Sequence, residues 1–211
     1  MNKKKTWFAM ILTCIFTLML SATAIQAEPY TPYTFVYGSA NFVDNVDIKK
    51  DYRGKEIKYT PEMDTGYGAG FGAGLKKGKW RGEIEVGYQR AEGVYTIEKR
   101  QRNYDRPGDY NVSYSMYTLM GGVDRDFSFK GTTPYVGASI GPVWVQSAKE
   151  NRNSLDDLLL GMEAHVGLSL PLDGFALFAE TGYFMTNENS FRHGYEIDNL
   201  DHMYVKAGLR F

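Results

Sequence analysis

Residues 65–78 read TGYGAGFGAGLKKG, in which every second position from Gly66 to Gly74 is a glycine. A dinucleotide-binding fingerprint needs glycines at odd and even offsets, because one glycine makes a turn and another lies in the following helix. A flexible linker combines glycine with small polar residues rather than with tyrosine, phenylalanine and leucine. The period of two instead predicts a β-strand with two unlike faces. The bare face consists of Gly66, Gly68, Gly70, Gly72 and Gly74.

Strand-like segments continue along the whole chain. The eight predicted strands are 33–43, 65–75, 80–92, 110–126, 133–146, 158–170, 175–185 and 202–211. After residue 27 the chain has no apolar run of about 18 residues, the length that a membrane-spanning helix requires.

The connections between these segments alternate in length. Those at 44–64, 93–109, 147–157 and 186–201 are long, and those at 76–79, 127–132 and 171–174 are short. Short turns at one end, long loops at the other and an even strand count are typical of outer-membrane barrels. A soluble β-sandwich has no reason to keep this alternation. We therefore predict an all-β fold, an eight-stranded antiparallel transmembrane up-and-down β-barrel.

The N-terminus reads as a secretory signal peptide. Residues 1–27 contain three lysines, an apolar run and then small residues, which predicts cleavage after Ala27 or Ala24. A lipoprotein signal at Cys14 is disfavoured, because the apolar run continues beyond it and Thr13 stands where a small residue is expected. We expect a removed segment 1–27 and one barrel domain, 28–211. The only cysteine leaves with the signal peptide, so the exported chain has no disulfide.

Charge excludes one class of partner. Removal of the three lysines leaves 21 basic and 25 acidic residues, a net charge near −4. No strongly basic surface is implied, and we expect no nucleic-acid partner.

Several strands have one uninterrupted apolar face. In WRGEIEVGYQR, Trp80, Ile84 and Tyr88 alternate with charged residues, and LLLGMEAHVGLSL and HMYVKAGLRF follow the same pattern. A soluble lipocalin-like barrel turns such faces inward, whereas a membrane barrel turns them outward. Periodicity alone leaves both arrangements open.

The spacing of aromatic residues favours the membrane arrangement. Trp80 and Tyr88, and likewise Phe175 and Tyr183, lie eight residues apart on apolar faces. At about 3.3 Å per residue and a tilt of about 40°, this spacing gives roughly 20 Å of height. That height approaches the distance between the two aromatic girdles of a membrane barrel, so we assign these four residues to the girdles.

The chain resembles a known family. The signal peptide, DTGYGAGFGAGL, WRGEIEVGYQ, TPYVGASIG, FALFAETGYF and the terminal YVKAGLRF together are similar to the opacity-type, OmpA-like small outer-membrane β-barrels of Gram-negative bacteria. The resemblance covers essentially the whole mature chain. It implies an outer-membrane location and a role as a surface antigen, adhesin or host-interaction protein, with weak porin activity in some members. It also implies that the barrel assembly machinery reads Val205, Leu209 and Phe211.

One strand departs from the family pattern. In YTLMGGVDRDF, Asp124 and Arg125 stand where the family has aromatic residues. The facing of strand 110–126 therefore stays open at this point.

An eight-stranded barrel is just wide enough for side chains to fill its lumen. The glycine face of 65–75 would leave room for long charged side chains, and buried charges persist only when they are paired. We therefore expect salt bridges across a plugged lumen, with a gated ion or proton path as the alternative. The predicted lumen residues are Arg81, Glu83, Glu85, Glu163, His165, Glu180, Lys206 and Arg210.

Catalytic, cofactor and metal sites are not predicted. Glu163, His165 and Ser169 have the residue types of a hydrolase, but all three would point into a filled lumen. Ser190 and His193 in the last loop have no orienting acid. Three histidines and no mature cysteine disfavour a transition-metal site. We predict a protein that is not an enzyme, with a lipid-modifying enzyme as the least favoured alternative.

Function is expected in the four long loops, because rigid scaffolds present recognition surfaces on loops. The first two loops carry basic residues, among them Lys49, Lys50 and Arg100, that could bind lipopolysaccharide phosphates or an acidic polymer. The alternative is a solvated loop whose charges only keep it soluble. We expect outer-membrane lipids, lipopolysaccharide, the assembly machinery and a host or envelope ligand as partners, and a small low-conductance porin as the alternative function.

Overall fold

The computed structural model describes residues 29–43, 47–52, 55–59, 62–97, 108–149, 152–187, 189–191, 195–198 and 200–211. The predicted signal peptide, 1–27, lies outside these residues. Eight strands form the barrel: β1 (Thr31–Val43), β2 (Gly66–Lys77), β3 (Trp80–Ile97), β4 (Gly108–Asp126), β5 (Thr133–Lys149), β6 (Arg152–Pro171), β7 (Ala176–Thr186) and β8 (His202–Arg210). The described part of the chain holds no helix of the length and apolarity that a bilayer crossing demands.

Each strand pairs antiparallel with the next one, and β8 pairs with β1. The last pairing closes the barrel, in which Phe35 lies opposite Arg210 and Val43 opposite His202. Closure leaves no unpaired sheet edge around the barrel wall. The predicted eight-stranded antiparallel up-and-down barrel is confirmed.

Three short turns connect the strands at one end, called here the turn end. Each turn contains a glycine with positive φ: Gly78 at 58°, Gly131 at 73° and Gly174 at 85°. Residues with a Cβ atom rarely adopt this conformation, so glycine allows the chain to reverse within a few residues.

Several strands run further toward the opposite end, the loop end, than the sequence pattern predicts. β3 continues to Ile97 rather than to residue 92, and β6 begins at Arg152 rather than at residue 158. Alternation of apolar and polar residues arises only where one face meets an apolar medium and the other does not. Beyond that zone the pattern disappears while the hydrogen-bonded ladder continues.

A second, four-stranded sheet, the loop sheet, consists of Asp47–Tyr52, Lys55–Tyr59, Asn189–Phe191 and Tyr195–Asp198. It joins the first long connection to the last one, because Tyr195–Asp198 pairs with Asp47–Tyr52. The sequence pattern predicted only loops in both connections. These strands are three to six residues long, and Lys50 and Lys55 interrupt the alternation of apolar and charged positions by which a strand is identified.

The barrel exterior is apolar, and buried charged side chains lie in its interior. Large apolar side chains such as Phe71, Ile84 and Val166 are more than half exposed, whereas Arg81 and Lys206 are buried. Soluble monomers rarely expose a contiguous apolar surface larger than a few hundred Å². Of the two arrangements that periodicity left open, the chain therefore adopts that of a membrane barrel.

One interruption occurs in the barrel wall, between β4 and β5. The regular register runs to Thr118 opposite Val143 and resumes at Gly121 opposite Ile140. Pro142 lies within the gap and has no N–H to donate to the ladder. The neighbouring Gly141 has no Cβ atom, and one built there would collide with the Leu119 carbonyl oxygen.

Candidate functional site

The lumen begins with a row of rings on β1. Tyr33, Phe35 and Tyr37 lie opposite Gly74, Gly72 and Gly70 of β2. Ring atoms of all three occupy the space in which a Cβ atom at the opposing glycine would stand. The glycine face therefore directly accommodates aromatic rings, and the expectation that it makes room for charged side chains is corrected. The charges pack against the rings instead.

The remaining two glycines of this face meet other neighbours. A Cβ atom at Gly68 would contact Ser39 and Gln89, and one at Gly66 would contact the backbone of Arg90 and Ala91.

The same pairing of a ring with a glycine recurs around the barrel. Tyr135 covers Gly167 on the adjacent strand, and Phe178 covers Gly208 in the same way. A glycine opposite an aromatic ring lets the ring lie over the neighbouring strand. This packing fixes the register of the two strands and fills space in the lumen. The lumen is thus lined by rings, with charged side chains between them.

The turn-end cluster is the first of two ionic groups in the lumen. Arg81 is buried, and its guanidinium reaches three carboxylates: Nη1 lies 2.6 Å from Glu83, Nη2 3.0 Å from Asp124 and Nε 2.9 Å from Asp126. Its charged plane also lies 4.4 Å from the centre of the Tyr135 ring. A planar fork with several donors suits this geometry better than an ammonium would.

Two further cations complete the turn-end cluster. Lys76 pairs with Asp126 at 2.7 Å, and Arg210 lies 3.4 Å from Glu83. Tyr33 donates its hydroxyl hydrogen to Glu83 at 2.5 Å. The cluster consists of Lys76, Arg81, Glu83, Asp124, Asp126 and Arg210.

The central cluster surrounds Lys206. Its Nζ atom lies 3.3 Å from Glu85, 3.2 Å from Glu163 and 3.6 Å from Glu180. Tyrosine hydroxyls supply further hydrogen bonds to these carboxylates: Tyr37 donates to Glu85, and Tyr135 and Tyr204 both donate to Glu180. The cluster consists of Glu85, Glu163, His165, Glu180 and Lys206.

His165 joins the two clusters. Its Nε2 atom lies 2.7 Å from Asp124 and 3.8 Å from Glu180, and its Nδ1 atom lies 3.4 Å from Glu163. Together the clusters contain six carboxylates and four lysine or arginine side chains. Two negative charges therefore lack a basic counterpart when all carboxylates are ionised and His165 is neutral.

The structure places all eight residues of the predicted lumen set inside the barrel and brings them into these two clusters. Sequence reasoning missed Lys76, Asp124 and Asp126. The inward positions of β4 are apolar near the loop end, with Tyr114, Met116 and Met120, and acidic only near the turn end. A strand with apolar residues on both faces gives no alternation from which its facing can be read.

The structure shows which residues of β4 face the lumen, a question that the sequence left open. Asp124 is 2% exposed and points inward, whereas Arg125 points outward. The Arg125 guanidinium lies 5.4 Å from the Trp80 ring centre and 5.6 Å from that of Phe127. The outward-facing guanidinium of Arg125 therefore lies among aromatic rings at the turn end.

The residue types of a hydrolase do not come together. Ser169 and His165 lie on the same face of β6, four residues apart, which corresponds to about 13 Å along a strand. A nucleophile and its base must lie within hydrogen-bonding distance. Ser190 and His193 belong to the region for which no side-chain contacts are described.

Apolar side chains fill the loop end of the lumen. The buried group there includes Val112, Tyr114, Met116, Val143, Val145, Leu159, Phe184, Leu200 and Tyr204. Beside it, Asn41, Gln89 and His202 line a cavity of about 10 Å³ and have polar atoms without hydrogen-bond partners. A second cavity, among the charged clusters, measures about 20 Å³. Each has room for about one water molecule.

The exterior carries two rows of rings. Phe175 and Trp80 lie near the turn end, and Tyr183 and Tyr88 lie near the loop end. The Tyr88 ring is 5.1 Å from that of Tyr117, which lies opposite Trp144 on β5.

The C-terminal strand presents Val205, Leu209 and Phe211 on the outside, with Phe211 57% exposed. The backbone of Phe211 still pairs with Thr34 of β1, at 2.8 and 3.0 Å. The terminal residue is therefore fixed to the closing seam of the barrel.

Comparison with solved structures identifies similar barrels. The structure is similar to that of Neisserial surface protein A, with a TM-score of 0.54 and 16% identity over 87% of this chain and 98% of the other. It is also similar to the outer membrane protein OprG from Pseudomonas aeruginosa, with a TM-score of 0.55 and 13% identity over 89% of this chain and 98% of the other. No protein-family model and no curated protein sequence matches the chain. The chain thus has the fold of small outer-membrane β-barrels.

Proposed function

We propose that the protein is an outer-membrane surface protein whose barrel is an anchor and whose loop sheet is the interaction surface. The observation that carries the proposal is the pairing of Asp47–Tyr52 with Tyr195–Asp198, which turns two separate loops into one folded surface. A flexible loop loses conformational entropy when it binds, whereas a preformed sheet has already lost it. Adhesion and antigen display are the roles that such a surface suits.

The loop sheet carries two contrasting sets of positions. Ile48 is in register with Ile197 and Tyr59, whereas Lys49 is in register with Glu196 and Lys58. Adjacent positions in a strand belong to opposite faces of a sheet. One set of positions is therefore rich in isoleucine and tyrosine, and the other is almost wholly charged.

The filled lumen supports an anchor rather than a pore. Rings, ion pairs and an apolar group occupy its length, and the described cavities hold about one water molecule each. Ions cross a barrel through a continuous wet path, which these side chains block. A small low-conductance porin remains the alternative function, and conductance is its test.

The partners of this proposal follow from its location. Outer-membrane lipids and lipopolysaccharide would contact the apolar band and its girdles, and the assembly machinery would read the strand that ends at Phe211. A host or envelope ligand would bind the connections 44–64, 93–109, 147–157 and 186–201. No enzymatic role is proposed.

Adhesion of whole bacteria tests the proposal. Wild type and a variant with 47–59 and 189–198 replaced by glycine–serine linkers would be expressed in a non-adherent Gram-negative strain and applied to cultured epithelial monolayers. We expect the replacement to reduce adhesion to the level of the empty vector while the barrel still shows heat-modifiable gel mobility. The matched control replaces 98–107, which leaves the loop sheet intact, and should keep at least about half of the wild-type adhesion. Equal adhesion of the sheet-replaced variant and wild type would contradict the proposal.

A further inference from the structure

The lumen contains a cavity walled mainly by acidic side chains. Its lining includes Glu83, Glu85, Asp124, Glu163 and Glu180, with His165 and Ser139. Its volume of about 20 Å³ is that of about one water molecule or one small ion.

Three residues that line this cavity have a polar atom without a hydrogen-bond partner. They are His165 at Nδ1, Ser139 at Oγ and Asp124 at Oδ2, and all three atoms are shielded from solvent. Of these atoms, Oδ2 of Asp124 lies 3.0 Å from the Arg81 guanidinium. His165 is only 8% exposed, so water outside the barrel does not satisfy its Nδ1 atom. A buried polar atom without a partner is uncommon and points to a water molecule or an ion at that position.

The hydrogen bond between His165 and Asp124 leaves the Nδ1 atom of His165 available to a metal ion. Asp124 lies 2.7 Å from Nε2, so in the neutral ring, the form that binds metals, Nε2 donates its hydrogen to this carboxylate and the lone pair is on Nδ1. Metal-binding histidines usually donate their other ring N–H to a carboxylate in this way. The arrangement thus has both the ligand and the group that orients it.

One pair of donor atoms in the group already has the separation that a metal ion requires. One donor atom from each of Glu163, His165 and Glu180 lies within 4.8 Å of the other two. The Nδ1 atom of His165 is 3.4 Å from Oε1 of Glu163. Two ligands about 2.0–2.1 Å from a tetrahedral zinc ion lie about 3.3 Å apart, so this pair already has the required separation.

The surplus of carboxylates in the lumen also favours a cation at this site. The two clusters hold six carboxylates against Lys76, Arg81, Lys206 and Arg210, and a doubly charged cation offsets the surplus of two. Lys206 is the competitor, because its Nζ atom lies 3.2 Å from Glu163 and 3.6 Å from Glu180. Binding would draw Lys206 toward Glu85, which it already contacts at 3.3 Å.

We propose that the barrel lumen binds one divalent transition-metal ion through Glu163, His165 and Glu180, with Asp124 as the positioning residue for the histidine. One imidazole with two carboxylates is a donor set that Zn²⁺ and Mn²⁺ accept, whereas Ca²⁺ and Mg²⁺ prefer oxygen ligands alone. The site is independent of the loop sheet and of its proposed role.

Metal content of the refolded mature protein tests the site. The chelator-stripped protein in detergent would be dialysed against Zn²⁺ or Mn²⁺, and bound metal would be measured by mass spectrometry, with Mn²⁺ binding also followed by electron paramagnetic resonance. We expect about one ion per chain. His165→Gln and Glu180→Gln should each weaken binding at least about tenfold, and Asp124→Asn about 10–100-fold, the range typical of residues that orient a ligand.

The chain supplies matched controls. His193→Gln and His202→Gln change the other two histidines and should leave affinity within about twofold of wild type. Lys206→Met should strengthen binding, because it removes the competing ammonium, whereas a purely structural ion network predicts no gain. Heat-modifiable mobility would verify that each variant is folded.

Wild type alone also provides a test if a variant fails to fold. A ligand that binds only the folded state stabilises it by RT ln(1 + [L]/Kd), so added Zn²⁺ should shift thermal unfolding upward. No retained metal and no shift would overturn the proposal. Binding that is lost in His193→Gln but kept in His165→Gln would overturn it too, by placing the metal in the last loop.

Discussion

Phe35 on β1 fills the space that a side chain at Gly72 on β2 would occupy. The ring is almost completely buried and also packs edge-on against Phe178, with ring centres 6.2 Å apart. The identity of residue 72 is thus determined by a neighbour across the sheet and not by backbone conformation.

Replacement of Gly72 by valine should therefore destabilise the barrel. Overpacking of a filled interior typically costs about 1–3 kcal/mol, and here the ring cannot move without displacing Phe178. Urea unfolding of the refolded protein in lipid vesicles would measure the loss.

The matched control for Gly72 is Gly82, where a Cβ atom would meet no atom within 4 Å. Gly82→Val should change the free energy of unfolding by less than about 0.5 kcal/mol. Similar losses at both positions would contradict the space-filling role of Phe35.

Ile84 lies midway between Trp80 and Tyr88 on the outer face of β3 and is 63% exposed. Ile84→Arg should destabilise the barrel in vesicles by about 2–4 kcal/mol, because it places a charge at the bilayer midplane. Val94→Arg, six positions beyond Tyr88 on the same face, should cost only about 0–1 kcal/mol. Equal effects at the two depths would argue against a bilayer around this band.

Arg81 neutralises carboxylates on two strands while its side chain is 1% exposed. Arg81→Met leaves these buried charges without their partner and should cost about 3–5 kcal/mol. Lys76→Met removes a cation from the same cluster, but the Lys76 side chain is 42% exposed, so the loss should stay below about 1 kcal/mol. Unfolding free energies in urea would compare the two. The Arg81 prediction is wrong if both variants unfold alike.

Planar bilayers would test the plugged lumen. The wild-type protein should insert without steady conductance, because ion pairs and the apolar loop-end group occupy the path. Lys206→Ala and Arg81→Ala should remain silent, since each removes one side chain from a lumen blocked at more than one level. Stable, discrete conductance from wild type that either substitution alters would favour the porin alternative.

The barrel could be predicted from the sequence because its surroundings impose an alternation of apolar and polar residues. Lipid on one side and a narrow interior on the other force strict alternation, as in Ile84, Glu85 and Val86 of β3. The strand count and the short turns with Gly78 and Gly174 follow from that pattern and from turn chemistry.

The parts that could not be predicted lie where this contrast disappears. Asp124 sits on a strand with apolar residues on both faces, and the loop sheet lies beyond the band in which alternation carries information. The pairing of Phe35 with Gly72 needs a register between two strands, which one strand's sequence does not contain. The proposed metal group has the same origin, because it combines Glu163 and His165 of β6 with Glu180 of the neighbouring β7.

The loop sheet joins the connection that follows β1 to the one that precedes β8, the two strands that close the barrel. The seam between β1 and β8 has nine paired positions, half of the eighteen between β3 and β4. The two halves of this sheet come from distant parts of the chain, because Asp47–Tyr52 pairs with Tyr195–Asp198. Contacts between such distant segments are slow to form. We therefore expect the loop sheet to form late in folding, when the two ends of the barrel sequence come together.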